Sequence, residues 1–222
     1  MFCLYAITDW KPRLDTPGHG EAPLQAIRAS GIAAVASEHE DLSLVADEDA
    51  LWAHERVVEA LMDQGAVLPI RFGTLLESED EVRLLLANRA AEFRRALDRI
   101  RGAVEVGVRV ALRGDEDARA MPDASASGPG TAYLLGQLER TQHRGSVAAH
   151  VVDALTPLAR EHVSRAGAST GSSLRSAYLV ERDRLDDFVS RASELEDELT
   201  GVRVACTGPW PAYSFANAEA PR

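Results

Sequence analysis

Few residues of this chain have the types and spacing that catalysis would need. His54 and Glu55 are neighbours in a predicted helix, and Arg71 follows at the end of a predicted strand. Because successive helix residues point about 100° apart, His54 and Glu55 do not form an acid-base dyad aimed at one target. His54 shares the apolar face of its helix, which favours a half-buried, hydrogen-bonded histidine over a catalytic one. Arg71 is interpreted as half of a structural ion pair.

The thiols and the other histidines give no reactive site either. Cys3 and Cys206 each lie in a strand-like apolar run without an electropositive setting, which favours buried, inert thiols. His143, His150 and His162 are separated by glycine and proline, so they lack the fixed helical spacing of a metal site. We therefore expect no catalytic residue, no metal and no cofactor.

Composition indicates a folded, acidic protein. Hydrophobic residues make up 45% of the 222 residues, the formal net charge is -11 and the pI is near 5.0. Binding to a phosphate backbone needs a basic surface, so we expect no nucleic-acid partner. No apolar run reaches the length of a membrane span, and residues 1–7 lack the pattern of a signal peptide. We therefore expect a cytoplasmic protein without a membrane span.

The most unusual stretch is Gly208–Phe215, with the sequence Gly-Pro-Trp-Pro-Ala-Tyr-Ser-Phe. Its two prolines remove two backbone donors and exclude a helix or a central strand, so the segment is predicted to be extended. Trp210, Tyr213 and Phe215 are three of the twelve aromatic residues of the chain. Two interpretations stay open. Either this tail staples two domains together with its rings in the seam between them, or it binds another protein.

Apolar periodicity and turn residues predict alternating strands and helices. The clearest signal is the capping box Ser78-Glu79-Asp80-Glu81, which is followed by apolar residues at spacings of three and four. Strands are predicted at 2–8, 24–29, 32–37, 66–72, 104–110, 174–180 and 202–206. Helices are predicted at 48–64, between Ser78 and Gly102, at 131–143, at 146–155, from Thr156, and at 185–199. Loops are predicted at 114–130 and 167–173.

The order of these elements indicates an α+β fold with two domains. From Ala66 onwards it is strand, helix, strand, helical insertion, strand, helix and strand, which is a modified ferredoxin-like sandwich with a helical insertion. An extended aromatic C-terminal tail closes the chain. The predicted parts are a small α+β domain at 1–65, a ferredoxin-like domain at 66–207 with a helical extension at about 131–166, and the tail at 208–222. Alternatively, strand 66–72 completes the first domain and the boundary lies as late as residue 102.

Six segments spread over nearly the whole chain carry a family resemblance. They are Leu4-Tyr5, His54-Glu55 with Val57-Val58, Val67 to Thr74, Val104 to Val110, Gly128 to Leu134, and Gly208 to Phe215. Together they resemble the gas vesicle protein F and L family (GvpF/GvpL). The Leu-Pro-Ile-Arg-Phe-Gly-Thr block and the tail are the most specific, although Ala212 stands where the resemblance leads us to expect a third proline. The segments do not distinguish F from L.

The resemblance implies an accessory or minor structural protein of gas vesicle assembly, associated with gas vesicles and without enzyme activity. Its implied partners are the small hydrophobic shell protein GvpA, bound during nucleation so that aggregation is limited, and other accessory gas vesicle proteins. The alternative is a small ferredoxin-like enzyme or ligand-sensing domain that uses a groove near His54 and Arg71. The candidate residues for a partner or domain interface are Trp210, Tyr213, Phe215, Arg71 and His54.

Overall fold

A computed structural model describes residues 1–40, 48–112, 130–165 and 173–216. The chain divides into two units by its internal contacts. The first unit contains Met1–Glu105 and returns with Pro209–Arg222, and the second contains Val106–Gly208. The sequence predicts a domain boundary at residue 65, with residue 102 as the alternative. The division into independently folding domains stays a prediction.

The first unit contains a five-stranded antiparallel sheet built around its first strand. The strands are β1 (Phe2–Thr8), β2 (Leu24–Ala29), β3 (Ile32–Glu38), β4 (Leu68–Pro69) and β5 (Leu75–Leu76). They run in the order β2-β3-β1-β4, and β5 also pairs with β1. All seven residues of β1 are buried, as expected for a central strand covered on both faces.

The strands predicted at 24–29 and 32–37 are confirmed, and they form a hairpin with its turn at Ser30-Gly31. β2 and β3 pair antiparallel up to Ala29 and Ile32, so the connection has two residues. Both have positive φ, 51° at Ser30 and 76° at Gly31, which is the conformation of a turn that matches the twist of its strands.

Two helices complete the regular structure of the first unit: α1 (Glu48–Met62) and α2 (Glu79–Ile100). The predicted cap of α2 is confirmed, since the Ser78 hydroxyl accepts from the Glu81 amide at 3.2 Å. The Glu81 carboxylate in turn accepts from the Glu77 amide at 2.9 Å. The apolar positions of α2 that the spacing selects are all buried: Val82, Leu86, Ala90, Phe93, Leu97 and Ile100.

The second unit contains a four-stranded sheet and two helices. In chain order its elements are β6 (Ala103–Leu112, which begins in the first unit), α3 (Gly130–Leu155), β7 (Glu161–Arg165), β8 (Ser173–Glu181), α4 (Leu185–Glu198) and β9 (Val202–Trp210). The strand order is β7-β8-β6-β9. Alternate residues of β6 and β9 join side chains of α3 and α4 in one core. Its fully buried members include Val151, Leu155, Tyr178, Phe188 and Leu195.

Predictions for three segments between residues 66 and 165 differ from the structure. The segment predicted as a strand at 66–72 contributes only β4, which pairs with β1 in the first sheet. The helices predicted at 131–143 and 146–155 are one helix, α3, because Gly145 does not interrupt it. The helix predicted from Thr156 is wrong beyond Leu158, since a single 3-10 turn is followed by β7.

The prolines of the C-terminal tail fit its place in the second sheet. Pro209 lies near the end of β9, which is an edge strand, and an edge strand tolerates a residue without an amide donor.

Among the described residues, no helix has both the length and the apolar character needed to cross a bilayer. The loops predicted at 114–130 and 167–173 lie almost entirely outside the described residues.

Candidate functional site

The C-terminal tail folds into a compact turn directly after β9. The Phe215 and Ala216 amides both donate to the Ala212 carbonyl, at 3.1 and 2.9 Å, and the Tyr213 amide donates to the Pro211 carbonyl at 2.7 Å. The tail is thus extended through Trp210, but the prediction that it is extended as far as Phe215 is wrong from Pro211 onwards, because the Ala212 carbonyl accepts from amides three and four residues later and closes a turn.

The three aromatic rings of the tail have different environments. Phe215 is completely buried and Ala212 is almost so. Tyr213 is half-buried. Trp210 is 42% exposed, an unusual degree for a large aromatic side chain. Phe215 thus anchors the turn, while the Trp210 ring remains available at the surface. Whether the three rings also fill a seam between domains stays a prediction.

Two carboxylates of the first unit hold this turn in place. The Tyr213 hydroxyl donates to Glu55 Oε1 of α1 at 2.9 Å. The Ser214 amide and hydroxyl both donate to the Glu105 carboxylate of β6, at 2.7 Å each. Hydrogen bonds to an ionised acceptor are stronger than neutral ones, so these three contacts give the tail one defined position.

Burial shapes the ionisation of the Glu55–Tyr213 pair. It raises the pKa of Glu55, the hydrogen bond from Tyr213 opposes that rise, and the nearby charge of Glu59 adds to it. Burial also raises the pKa of Tyr213 above its usual range, and the Glu55 charge raises it further. At neutral pH the tyrosine is therefore a hydroxyl donor that partly compensates a desolvated carboxylate.

His54 of α1 is a buried, neutral histidine. Its Nε2 lies 3.0 Å from the Ile70 carbonyl oxygen. A carbonyl only accepts, so Nε2 carries the proton and Nδ1 is the unprotonated nitrogen, which has no partner among the described residues. The ring packs against Tyr5 and Phe72, with centroids 5.2 and 5.6 Å away. Burial lowers the pKa of His54 to about 4, although the Ile70 hydrogen bond opposes this change.

Arg71 is exposed at the turn that follows β4. Its carbonyl accepts from the Thr74 amide at 3.2 Å and from the Thr74 hydroxyl at 2.8 Å, which fixes the turn before β5. In the part of the chain that the structure describes, its guanidinium forms none of the observed ion pairs. A buried neutral imidazole and an exposed guanidinium do not make an acid-base pair.

Cys3, Cys206 and the three histidines of α3 and β7 show no arrangement typical of catalysis or metal binding. Burial raises the pKa of both Cys3 and Cys206, so each is a thiol and not a reactive thiolate at neutral pH. His143 and His150 are exposed on α3, and His162 is exposed on β7. Within the described ranges, no three His, Cys, Asp or Glu side chains are grouped closely enough to hold a metal ion.

Sequence reasoning missed the two carboxylates that hold the tail. In the sequence, Glu55 is a helix neighbour of His54 and Glu105 is a polar position in a predicted strand, and neither position indicates a contact with the tail. Their distances along the chain from their tail partners, 158 and 109 residues, leave no local pattern. The sequence gives one indication of these contacts: the hydroxyl groups of Tyr213 and Ser214 need hydrogen-bond acceptors if the tail is buried.

Comparison with known proteins identifies the relatives of this chain. The family described as "Gas vesicle synthesis protein GvpL/GvpF" matches residues 2–217. The chain belongs to the GvpL/GvpF family. "Gas vesicle protein L" of Streptomyces sp. (strain CB03234) is 34% identical over 197 residues, which cover 80% of this chain and 71% of that relative. "Gas vesicle protein F" of the same strain is 29% identical over 183 residues, which cover 74% and 76%.

Crystal structures of family members share the fold. The gas vesicle protein GvpF from Anabaena sp. PCC7120 superimposes with a TM-score of 0.81 at 22% identity, covering 97% of this chain and 95% of that one. GvpF from Microcystis aeruginosa gives a TM-score of 0.78 at 18% identity, covering 97% and 98%. The expected mixed fold of helices and sheets is therefore confirmed.

Proposed function

We propose that this protein is a non-enzymatic accessory or minor structural component of gas vesicle assembly, which binds the small hydrophobic shell protein GvpA during nucleation and limits its aggregation. Membership of the GvpL/GvpF family over residues 2–217 is the observation that carries this proposal. A cytoplasmic location in association with gas vesicles, and contacts with other accessory gas vesicle proteins, follow from the same membership.

Trp210 is the tail residue best suited to contact a partner. Its ring is 42% exposed. Three and four residues further on, Tyr213 and Ser214 form hydrogen bonds with Glu55 and Glu105. An exposed tryptophan on an anchored backbone loses little conformational entropy on binding, and tryptophan is enriched among the residues that dominate binding energy. In the rival interpretation, the tail only stabilises the fold of this chain and contacts no partner.

The finer fold assignment is also a proposal. We infer that the second unit is a ferredoxin-like domain formed by β6, α3, β7, β8, α4 and β9. The sheet order β7-β8-β6-β9 supports this, because the first strand of such a βαββαβ domain lies between the third and the fourth. In this assignment the four strands of the domain are β6, β7, β8 and β9, so β7 is included and the strand predicted at 66–72 is not.

The enzyme or ligand-sensing alternative has no supporting observation in the described residues. The groove suggested for it would need His54, which is buried, and Arg71, which has no acidic partner there. A neutral histidine with a pKa near 4 and no accessible face is a poor general base at neutral pH.

Co-expression tests the proposed function. The shell protein is expressed alone and together with this chain, and the fraction that stays in solution after centrifugation is measured. We expect this chain to raise the soluble fraction and to co-purify with the shell protein. An unchanged soluble fraction at matched expression, together with failed cross-linking, would overturn the proposal.

A single substitution separates the two roles of the tail. Trp210→Ala is compared with Leu84→Ala, which removes a more exposed apolar side chain from α2, where Leu84 is 60% exposed. Lost shell-protein binding with an unchanged melting temperature supports a partner site at Trp210. A lowered melting temperature with retained binding supports the staple.

A further inference from the structure

The first turns of α1 expose two large apolar side chains. Leu51 is 44% exposed and Trp52 is 56% exposed, whereas Ala53, Val57 and Val58 of the same helix are buried in the core. We call Leu51 and Trp52 the α1 apolar patch. The core-facing positions already bury the apolar side of this helix, so the patch is not needed for its amphipathic packing. An exposed apolar patch with a polar rim is typical of an interaction surface.

Acidic side chains surround the α1 apolar patch. Glu48, Glu55 and Glu59 lie at spacings of four, three and seven from Trp52 and therefore share its face of the helix. The Trp52 indole Nε1 donates to Glu48 Oε1 at 3.2 Å, which holds the ring beside this carboxylate. Arg56, the one arginine or lysine of α1, is exposed four residues after Trp52 and shares the same face. With three carboxylates and one guanidinium, the surface around the patch has a net negative charge beside its apolar side chains.

We propose that the α1 apolar patch is a docking surface for an amphipathic helix of a partner protein, one that presents aliphatic side chains flanked by arginine or lysine. This inference rests on the proposed function, because it names the chemistry of the segment that this chain would hold. The aliphatic side chains of the partner cover Leu51 and Trp52, and its basic flanks face Glu48 and Glu59. Charge complementarity of this kind sets the orientation of a partner and raises its rate of association.

The geometry of α1 suits a helical partner. A helix of 15 residues is about 22 Å long at 1.5 Å per residue, enough to lie beside roughly four turns of another helix. An apolar stripe with charged margins is the pattern that such pairs use. Anionic lipid and nucleic acid are the wrong occupants for this surface, because its carboxylates would repel phosphate groups.

Two synthetic peptides test the charge and the apolar part of the proposal. Both are amphipathic helices of about 18 residues with the same leucine face. One has arginine along both margins, and the other has glutamate there. Binding of each labelled peptide to the full chain is measured by fluorescence anisotropy at low and high salt. We expect the arginine peptide to bind at least about tenfold more tightly than the glutamate peptide, with an affinity that falls as salt rises.

Variants locate the binding on α1. The double variant Leu51→Ser, Trp52→Ser is compared with Leu84→Ser, which removes a similarly exposed leucine from α2. We expect the double variant to bind the arginine peptide at least about tenfold more weakly, and Leu84→Ser to bind it as the wild type does. Equal binding by wild type and the double variant, or equal binding of both peptides, would overturn the inference.

The shell protein provides a second readout that separates this inference from the proposed function. If the wild-type chain keeps the shell protein in solution and the double variant does so equally well, the docking surface is wrong while the proposed function stands. If the wild-type chain itself fails, the proposed function is wrong, and the peptide titrations still decide whether the patch binds a basic amphipathic helix.

Discussion

Acidification should destabilise the first unit through one histidine. His54 is 1% exposed, and burial lowers its pKa to about 4 from an ordinary value of 6.5. When the chain unfolds, the ring regains its ordinary pKa and takes up a proton more readily. Acid therefore favours the unfolded chain, in which the imidazole is charged and hydrated.

The size of this effect follows from the two pKa values. The folded-state pKa is depressed, so the stability that the neutral ring contributes is fully present above pH 6.5 and is lost as the pH falls towards 4. Each pKa unit corresponds to about 1.4 kcal/mol. Between pH 7 and pH 4, His54 should therefore remove about 3 kcal/mol from the free energy of unfolding, a large part of the stability of an ordinary domain.

The assay compares wild type with His54→Gln. Glutamine has no titratable group, and its side-chain amide can donate to the Ile70 carbonyl as Nε2 does now. Urea unfolding of both proteins is followed by tryptophan fluorescence at pH 7 and at pH 4. Trp10, Trp52 and Trp210 all belong to the first unit, so the signal reports on the unit that contains His54.

The glutamine variant should lose about 3 kcal/mol less than wild type on acidification, since carboxylates that titrate in both proteins cancel in the comparison. His150→Gln, at an exposed position of α3, is the matched control and should follow wild type. If wild type and His54→Gln lose the same free energy between the two pH values, His54 titrates normally in the fold and the reasoning from burial is refuted.

Three further substitutions test the tail and the hairpin. Tyr213→Phe should destabilise the protein by about 1 kcal/mol at pH 7, because it removes the tyrosine donor from the partly buried carboxylate of Glu55. Its effect should shrink below pH 4, where Glu55 is protonated, as paired urea titrations will show. Phe215→Ala should cost about 3–5 kcal/mol in the same assay, since the ring is completely buried. Gly31→Ala should lower the melting temperature, because φ is +76° there and alanine loses about 1 kcal/mol in that region. Gly145→Ala, in α3 with open space around its Cα, is the control for this change and should be neutral or stabilising.

Local signals in the sequence were sufficient for the longer elements. The Ser78 cap and the apolar spacing that follows it predict α2, because hydrogen bonds and burial within one helix depend on residues three and four apart. The same holds for the β2–β3 hairpin, whose turn is dictated by Ser30 and Gly31.

Short strands and long-range contacts were not predictable in this way. β4 and β5 have two residues each and exist only because β1 lies beside them. β7 has exposed residues along most of its length and is a strand because it pairs with β8. The carboxylates that hold Tyr213 and Ser214 are distant in sequence, so the position of the tail depends on tertiary packing that no local window contains.

The return of the tail to the first unit has a consequence for biosynthesis. A chain emerging from the ribosome releases residues 1–105 first, yet Phe215 and the donors to Glu55 and Glu105 arrive only after the whole second unit has been made. At about 5–20 residues per second, this delay lasts roughly 5–20 seconds. During that time the nascent first unit lacks the Phe215 ring, and the carboxylates of Glu55 and Glu105 lack their donors from the tail. Vectorial synthesis therefore postpones completion of the first unit until translation of the tail.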